Sequence, residues 1–123
     1  MVRRQHAIAC MAAILMSQAP APAMAEQFVQ VTDEARFLDL IEGRELRRFG
    51  IRLEVTPSGE IAGRGFGYRV TGDWEWRDAY FCRTMAYGNT EIPHNCQVVA
   101  VRGEEMRFVS DRGQGEFADF TLQ

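Results

Sequence analysis

Ile51-Arg52-Leu53-Glu54-Val55-Thr56-Pro57-Ser58-Gly59 decides the fold class. Ile51, Leu53 and Val55 alternate with Arg52, Glu54 and Thr56, and a Pro-Ser-Gly turn follows. A period of two places one face of a strand on a core, whereas a helix repeats its apolar residues every three to four positions. The same grammar extends in both directions. Arg44 to Phe49 reads as a first strand before it, and Glu60 to Gly67 as a glycine-rich strand after it. Tyr68, Val70, Gly72, Trp74 and Trp76 then alternate with Arg69, Thr71, Asp73, Glu75 and Arg77. Tyr80 to Tyr87 ends in a Gly88-Asn89 turn, and Pro93-His94-Asn95 reads as a loop. Gln97 to Arg102 turns at Gly103-Glu104 into Met106, Phe108 and Ser110, and Ala118, Phe120 and Leu122 close the chain.

About eight strands joined by short loops must run antiparallel to their neighbours. The expectation is a mainly β domain, an up-and-down antiparallel barrel or curled meander of about eight strands. Closure would remove the exposed edges of an open sheet. The alternative is a two-sheet β-sandwich of the same strands. One short helix precedes them, over about 33–42. Thr32 or Asp33 can cap it, Phe37, Leu38 and Ile41 recur at helical spacing, and Gly43 stops it. It would plug or flank one end of the barrel. Arg-Gly-x-Gly occurs at 64–67 and at 112–115, which turns or bulges explain.

The first 25 residues read as an export leader. Arg3 and Arg4 precede an apolar run from Ala7 to Met16, then a Pro-containing segment, then Ala23-Met24-Ala25 as a small-x-small cleavage pattern. The run is too short to span a bilayer, which needs ~20 residues. Cleavage after Ala25 would leave a single domain, 26–123, in the periplasm. Arg3 and Arg4 leave with the leader, so 12 basic residues face 17 acidic ones. No run of basic residues and no basic amphipathic helix is visible in the sequence. Nucleic-acid binding and stable membrane insertion after cleavage are therefore not expected.

All 14 basic residues are Arg. Lysine Schiff-base chemistry and a P-loop lysine are excluded. His94 is the one imidazole outside the leader, so a histidine-rich metal site is excluded as well. With Cys10 in the leader, Cys82 and Cys96 remain, and in an exported domain two cysteines read as one disulfide. The rival is a three-ligand metal site made of Cys82, His94 and Cys96. Its spacing fits no usual zinc knuckle, and the oxidising compartment favours the disulfide, so no metal is expected.

Gly63-x-Gly65-x-Gly67 precedes a strand and lacks the βαβ setting of a dinucleotide site. Ser58 and Ser110 are nucleophile candidates with only His94 as a base, and nothing in the sequence brings them together. No catalytic residues and no cofactor are expected. The densest feature is Gly72-Asp73-Trp74-Glu75-Trp76-Arg77-Asp78-Ala79-Tyr80-Phe81-Cys82-Arg83. Its aromatics can fill a narrow barrel or line a ligand cavity, since barrels of eight strands do either. An inward Arg83 would need a carboxylate partner, from the protein or from a ligand. The candidate ligand site is therefore Trp74, Trp76, Tyr80 and Arg83.

That segment, with Asn95-Cys96-Gln97 and Met106-Arg107-Phe108-Val109-Ser110-Asp111-Arg112-Gly113, resembles a family of small exported alphaproteobacterial proteins. The resemblance runs from Val31 to Leu122. The family has no established function, and its members are sometimes labelled dihydrodipicolinate reductase. That label implies nicotinamide binding on a Rossmann unit with a histidine pair and a lysine. The present chain has neither a Rossmann fingerprint nor a lysine. The shape is also similar to lipocalin-type small barrels, an analogy of fold that does not carry function. The expected function is a periplasmic, non-enzymatic barrel holding a small apolar or amphipathic ligand. The alternative is an envelope protein-interaction module presenting Glu91-Ile92-Pro93-His94.

Overall fold

A computed structural model describes residues 12–17 and 27–123. Of the expected leader, 12–17 has no regular secondary structure. The rest of it, with the cleavage position after Ala25, lies outside the described residues.

Among the described residues, nine strands and one α-helix follow in chain order. They are β1 (Val29–Val31), α1 (Glu34–Ile41), β2 (Leu46–Arg48), β3 (Ile51–Val55) and β4 (Glu60–Gly65). Then come β5 (Tyr68–Arg77), β6 (Tyr80–Tyr87), β7 (Thr90–Arg102), β8 (Glu105–Val109) and β9 (Phe117–Leu122). From β2 to β9 each strand pairs antiparallel with the next. The last pairs back to the first, Leu46 opposite Leu122 and Arg47 opposite Thr121. That closing ladder makes an eight-stranded up-and-down barrel and excludes the sandwich.

Two features differ from the sequence expectation. The first is β1, a three-residue strand pairing with Val99–Val101 of β7, in which only Val31 is buried. A segment so short carries too little periodicity to be read. The second is β7, which begins at Thr90 rather than at Gln97. Pro93, His94 and Asn95 are therefore in a strand and not in a loop. The register shifts between Arg83 and Met85, so that Asn95 faces Arg83 while Ile92 faces Met85. Such a bulge accommodates a proline that cannot donate to the ladder.

Loop alternation assigns the two barrel ends. The β2–β3, β4–β5 and β6–β7 turns and the β8–β9 loop share one end. The β3–β4, β5–β6 and β7–β8 turns share the other, which α1 closes. Asp33 caps α1 by accepting from the Arg36 N–H at 2.8 Å, and Gly43, at φ 66°, ends it. Phe37 drives the closure. It is 0% exposed, with its ring centroid 5.3 Å from that of Trp74 and 5.2 Å from those of Trp76 and Phe81. Inward-facing Gly63 allows the sheet to coil sharply beside it. A Cβ there would lie 2.0 Å from the Arg52 carbonyl oxygen. Cys82 and Cys96 are direct cross-strand partners on β6 and β7 and form a disulfide.

Candidate functional site

Phe37, Trp74 and Trp76 fill part of the interior under α1, and the rest is hollow. A cavity of about 250 Å³ is lined by residues from Leu46, Val55 and Ile61 on the α1 side to the exposed Glu116 and Phe117. Its wall is mostly apolar: Leu46, Leu53, Val55 and Ile61 from β2 to β4, Phe81 and Met85 from β6, Phe108 from β8 and Phe120 from β9. These are the inward residues of the alternating pattern, so the period-two code builds the wall.

Besides Glu116, three polar side chains interrupt the wall. Arg83 of β6 is 9% exposed and Gln97 of β7 is 8% exposed. The third, Ser110, follows β8. Gln97 Nε2 donates to Ser110 Oγ at 3.1 Å, which leaves its amide oxygen free to accept. An Arg83 terminal nitrogen donates to the Pro93 carbonyl at 2.7 Å. Among the described residues no carboxylate pairs with Arg83. Burial alone pulls its pKa below the ordinary guanidinium value, yet a guanidinium remains cationic in proteins. The cavity thus combines a mostly apolar wall with one buried guanidinium that pairs with no carboxylate among the described residues, and with Glu116 in its lining. Chemically it can hold an apolar body and place an acceptor-rich head on Arg83.

Arg83 alone of the four expected site residues lines this cavity. Trp74 is buried in the plug against Phe37 and donates its indole N–H to the Thr56 carbonyl at 2.8 Å. Trp76 is half-buried beside it, and its Nε1 is buried with no partner among the described residues. Tyr80 lies half-buried under the Arg112 guanidinium, 5.5 Å from ring centroid to guanidinium carbon. The two tryptophans lie at the closed end because the β5–β6 turn sits on the α1 side, whereas Tyr80, next to inward Phe81, faces the exterior under the β8–β9 loop. Sequence reading missed Gln97 and offered Ser110 as a nucleophile candidate rather than as part of a ligand cavity. A glutamine opening an otherwise apolar run, Val98-Val99-Ala100-Val101, was the available signal.

Asn95 fixes the β8–β9 loop. Its amide donates to Asp111 Oδ1 at 2.8 Å, and its oxygen accepts from the Asp111 N–H at 2.9 Å. Asp111 and Arg112 both adopt φ 53° there, so the side-chain clamp holds a left-handed backbone that neither residue favours. Cys82, His94 and Cys96 do converge, with donor atoms within 4.8 Å of one another. The two sulfurs are bonded to each other, and a metal takes thiolates. His94 Nδ1 is 3.2 Å from Thr84 Oγ1, while Ser110 is engaged by Gln97, so the two do not form a nucleophile–base pair. Among the described residues no helix is long and apolar enough to cross a membrane.

Comparison with protein-family models, curated proteins and solved structures finds no match to this chain.

Proposed function

We propose that this protein is a non-enzymatic binding barrel of the periplasm that holds one small amphipathic molecule, its apolar part in the cavity and its anionic head on Arg83. The observation that carries the reading is a buried guanidinium on a mostly apolar cavity that, among the described residues, is in ion-pair contact with no carboxylate, Glu116 lying in the same lining without pairing to it. A buried charge left in this way is costly, and a ligand carboxylate offsets the cost. The cavity volume, about 250 Å³, exceeds the ~150 Å³ that admits benzene and falls just below the range of drug-sized ligand pockets, ~300–1,000 Å³. A medium-chain carboxylate suits it better than a long lipid.

The test compares a medium-chain carboxylate with the neutral alcohol of the same length. Displacement of an environment-sensitive fluorescent amphiphile reports binding. A charge-assisted hydrogen bond is worth about 1.5–3 kcal/mol, so the acid binds on the order of 10- to 100-fold more tightly. Equal affinities, or no displacement by either, overturn the reading. Native mass spectrometry of protein prepared without detergent gives the cargo directly, as discrete added mass.

A second reading, an envelope interaction module, draws on the free edge of β7. Residues 90–94 pair with β6 on one side, and among the described residues no strand covers the other. Such an edge accepts a partner strand. Pull-down of a periplasmic protein that is lost in Ile92→Asp supports it, and capture unchanged in both Ile92→Asp and His94→Ala removes it.

A further inference from the structure

Four arginines far apart in sequence stand in one row on the barrel exterior. Arg47 of β2 is the register partner of Arg52 of β3, Arg52 of Arg64 of β4, and Arg64 of Arg69 of β5. All four are exposed. Neighbouring strands lie ~4.8 Å apart, and like charges directly opposite one another destabilise a sheet. Arg47 is paired with Glu45, and Arg64 donates to the Gly67 carbonyl. Among the described residues no carboxylate pairs with Arg52, Arg64 or Arg69. The next outward row on β3, β4 and β5, away from the loops, is Glu54, Ala62 and Thr71, and the one beyond it pairs Glu60 with Asp73. The acids are therefore set back toward the α1 end. At the row's own end, Glu91 belongs to the β6–β7 hairpin, and Asp111 and Glu116 to the β8–β9 loop.

The two hairpin tips next to the row are aromatic. Phe49 between β2 and β3 is 92% exposed, and Phe66 between β4 and β5 is 60% exposed. Their ring centroids are 6.3 Å apart, so they form one apolar knob. Exposed Tyr68 follows the second tip in sequence and packs on Tyr87, with ring centroids 5.2 Å apart. Arg52 is two residues along β3 from Gly50 in the tip, ~7 Å at strand rise. That offset matches the ~5–10 Å between headgroups and the acyl boundary at which interfacial side chains settle.

We propose that this end of the barrel docks on an anionic phospholipid surface, with Phe49 and Phe66 entering the interface and the Arg47–Arg52–Arg64–Arg69 row lying on the phosphates. A phosphate layer neutralises a row of cations that the protein itself leaves opposed, and paired exposed phenylalanines have no role on a purely polar polyanion. The β8–β9 loop, which lines the cavity, is at the same end.

Co-sedimentation of the protein with phosphatidylglycerol and with phosphatidylcholine vesicles tests this. Binding to the anionic vesicles alone is expected, and it weakens as salt rises. Each arginine removed lowers partitioning about fivefold, so Arg52→Gln/Arg64→Gln/Arg69→Gln together lower it about a hundredfold. These positions are exposed strand sites where removal of like-charge repulsion leaves the fold intact, which an unchanged or higher Tm verifies. In Phe49→Trp, the new emission shifts to the blue with anionic vesicles only. Equal sedimentation with both lipids, none with either, or retention on duplex DNA without vesicle binding overturns the proposal.

Discussion

Replacing Arg83 with Met separates a structural arginine from a ligand-binding one. The guanidinium is 9% exposed and, among the described residues, makes one hydrogen bond and has no carboxylate partner. Methionine loses that bond, about 1.5–3 kcal/mol for a charged donor. The Pro93 carbonyl it leaves belongs to an exposed residue and can turn to water. Against this stands the desolvation of the guanidinium, several kcal/mol for a buried ion. The cavity is open toward the β8–β9 loop, which reduces the penalty, so the ligand-free variant gains about 1–2 kcal/mol. For a domain of this size that raises Tm by ~4–16 °C. Urea unfolding of ligand-free protein measures it, with an unchanged m-value as the two-state check. Adding a medium-chain carboxylate at ~100 times its Kd for the parent stabilises the parent by about 2.7 kcal/mol and Arg83→Met, with its affinity lowered about 10- to 100-fold, by only about 0.4–1.4 kcal/mol. The stability advantage of the variant then shrinks by about 1.3–2.3 kcal/mol. A ligand-free Arg83→Met that is less stable than the parent by more than about 1 kcal/mol refutes the reasoning, because Arg83 is then a strut of the barrel.

The two tryptophans should respond oppositely to the same change. Trp74→Phe loses a hydrogen bond to Thr56, whereas Trp76→Phe removes a buried N–H that has no partner among the described residues. Trp76→Phe is therefore the more stable variant by about 2 kcal/mol, read from urea midpoints; equal losses would show that water satisfies the Trp76 indole. Phe37→Ala empties the α1 plug and lowers stability by about 3–5 kcal/mol, seen as a Tm drop of at least ~12 °C. Arg107 and Asp119 are register partners on β8 and β9 with N–O distances of 2.7 and 2.9 Å. Hydrogen bonding to Arg107 holds the Asp119 carboxyl below its ordinary pKa. The linked stability is present above the unfolded carboxyl value, about 3.9, and is lost as pH falls through the lower folded value. Below about pH 4 the urea midpoint should fall more steeply in the parent than in Asp119→Asn.

The sequence carries the strands because their period is local. Ile51, Leu53 and Val55 need no distant partner to declare one face buried. Helix α1 is legible for the same reason, with Asp33 before it and Gly43 after it. Strand β7 was legible only from Gln97 onward, since Pro93 reads as a break unless the bulge opposite it is known. The site was legible in one residue. Arg83 stands out as a charge amid Phe81, Cys82 and Met85, but which aromatics share its cavity depends on which end α1 closes. Trp74 and Trp76 face inward as their alternation says, yet at the filled end.

By itself the sequence determined the strand grammar, the single short helix and the pairing of Cys82 with Cys96, all consequences of short-range pattern and of cysteine count. Only the tertiary structure decided closure through β2 and β9, the hollow behind Arg83, and the four-arginine row. Those depend on register, and register is a property of pairs of strands. A net-acidic chain with its arginines scattered from 47 to 69 shows no basic cluster until adjacent strands bring them side by side.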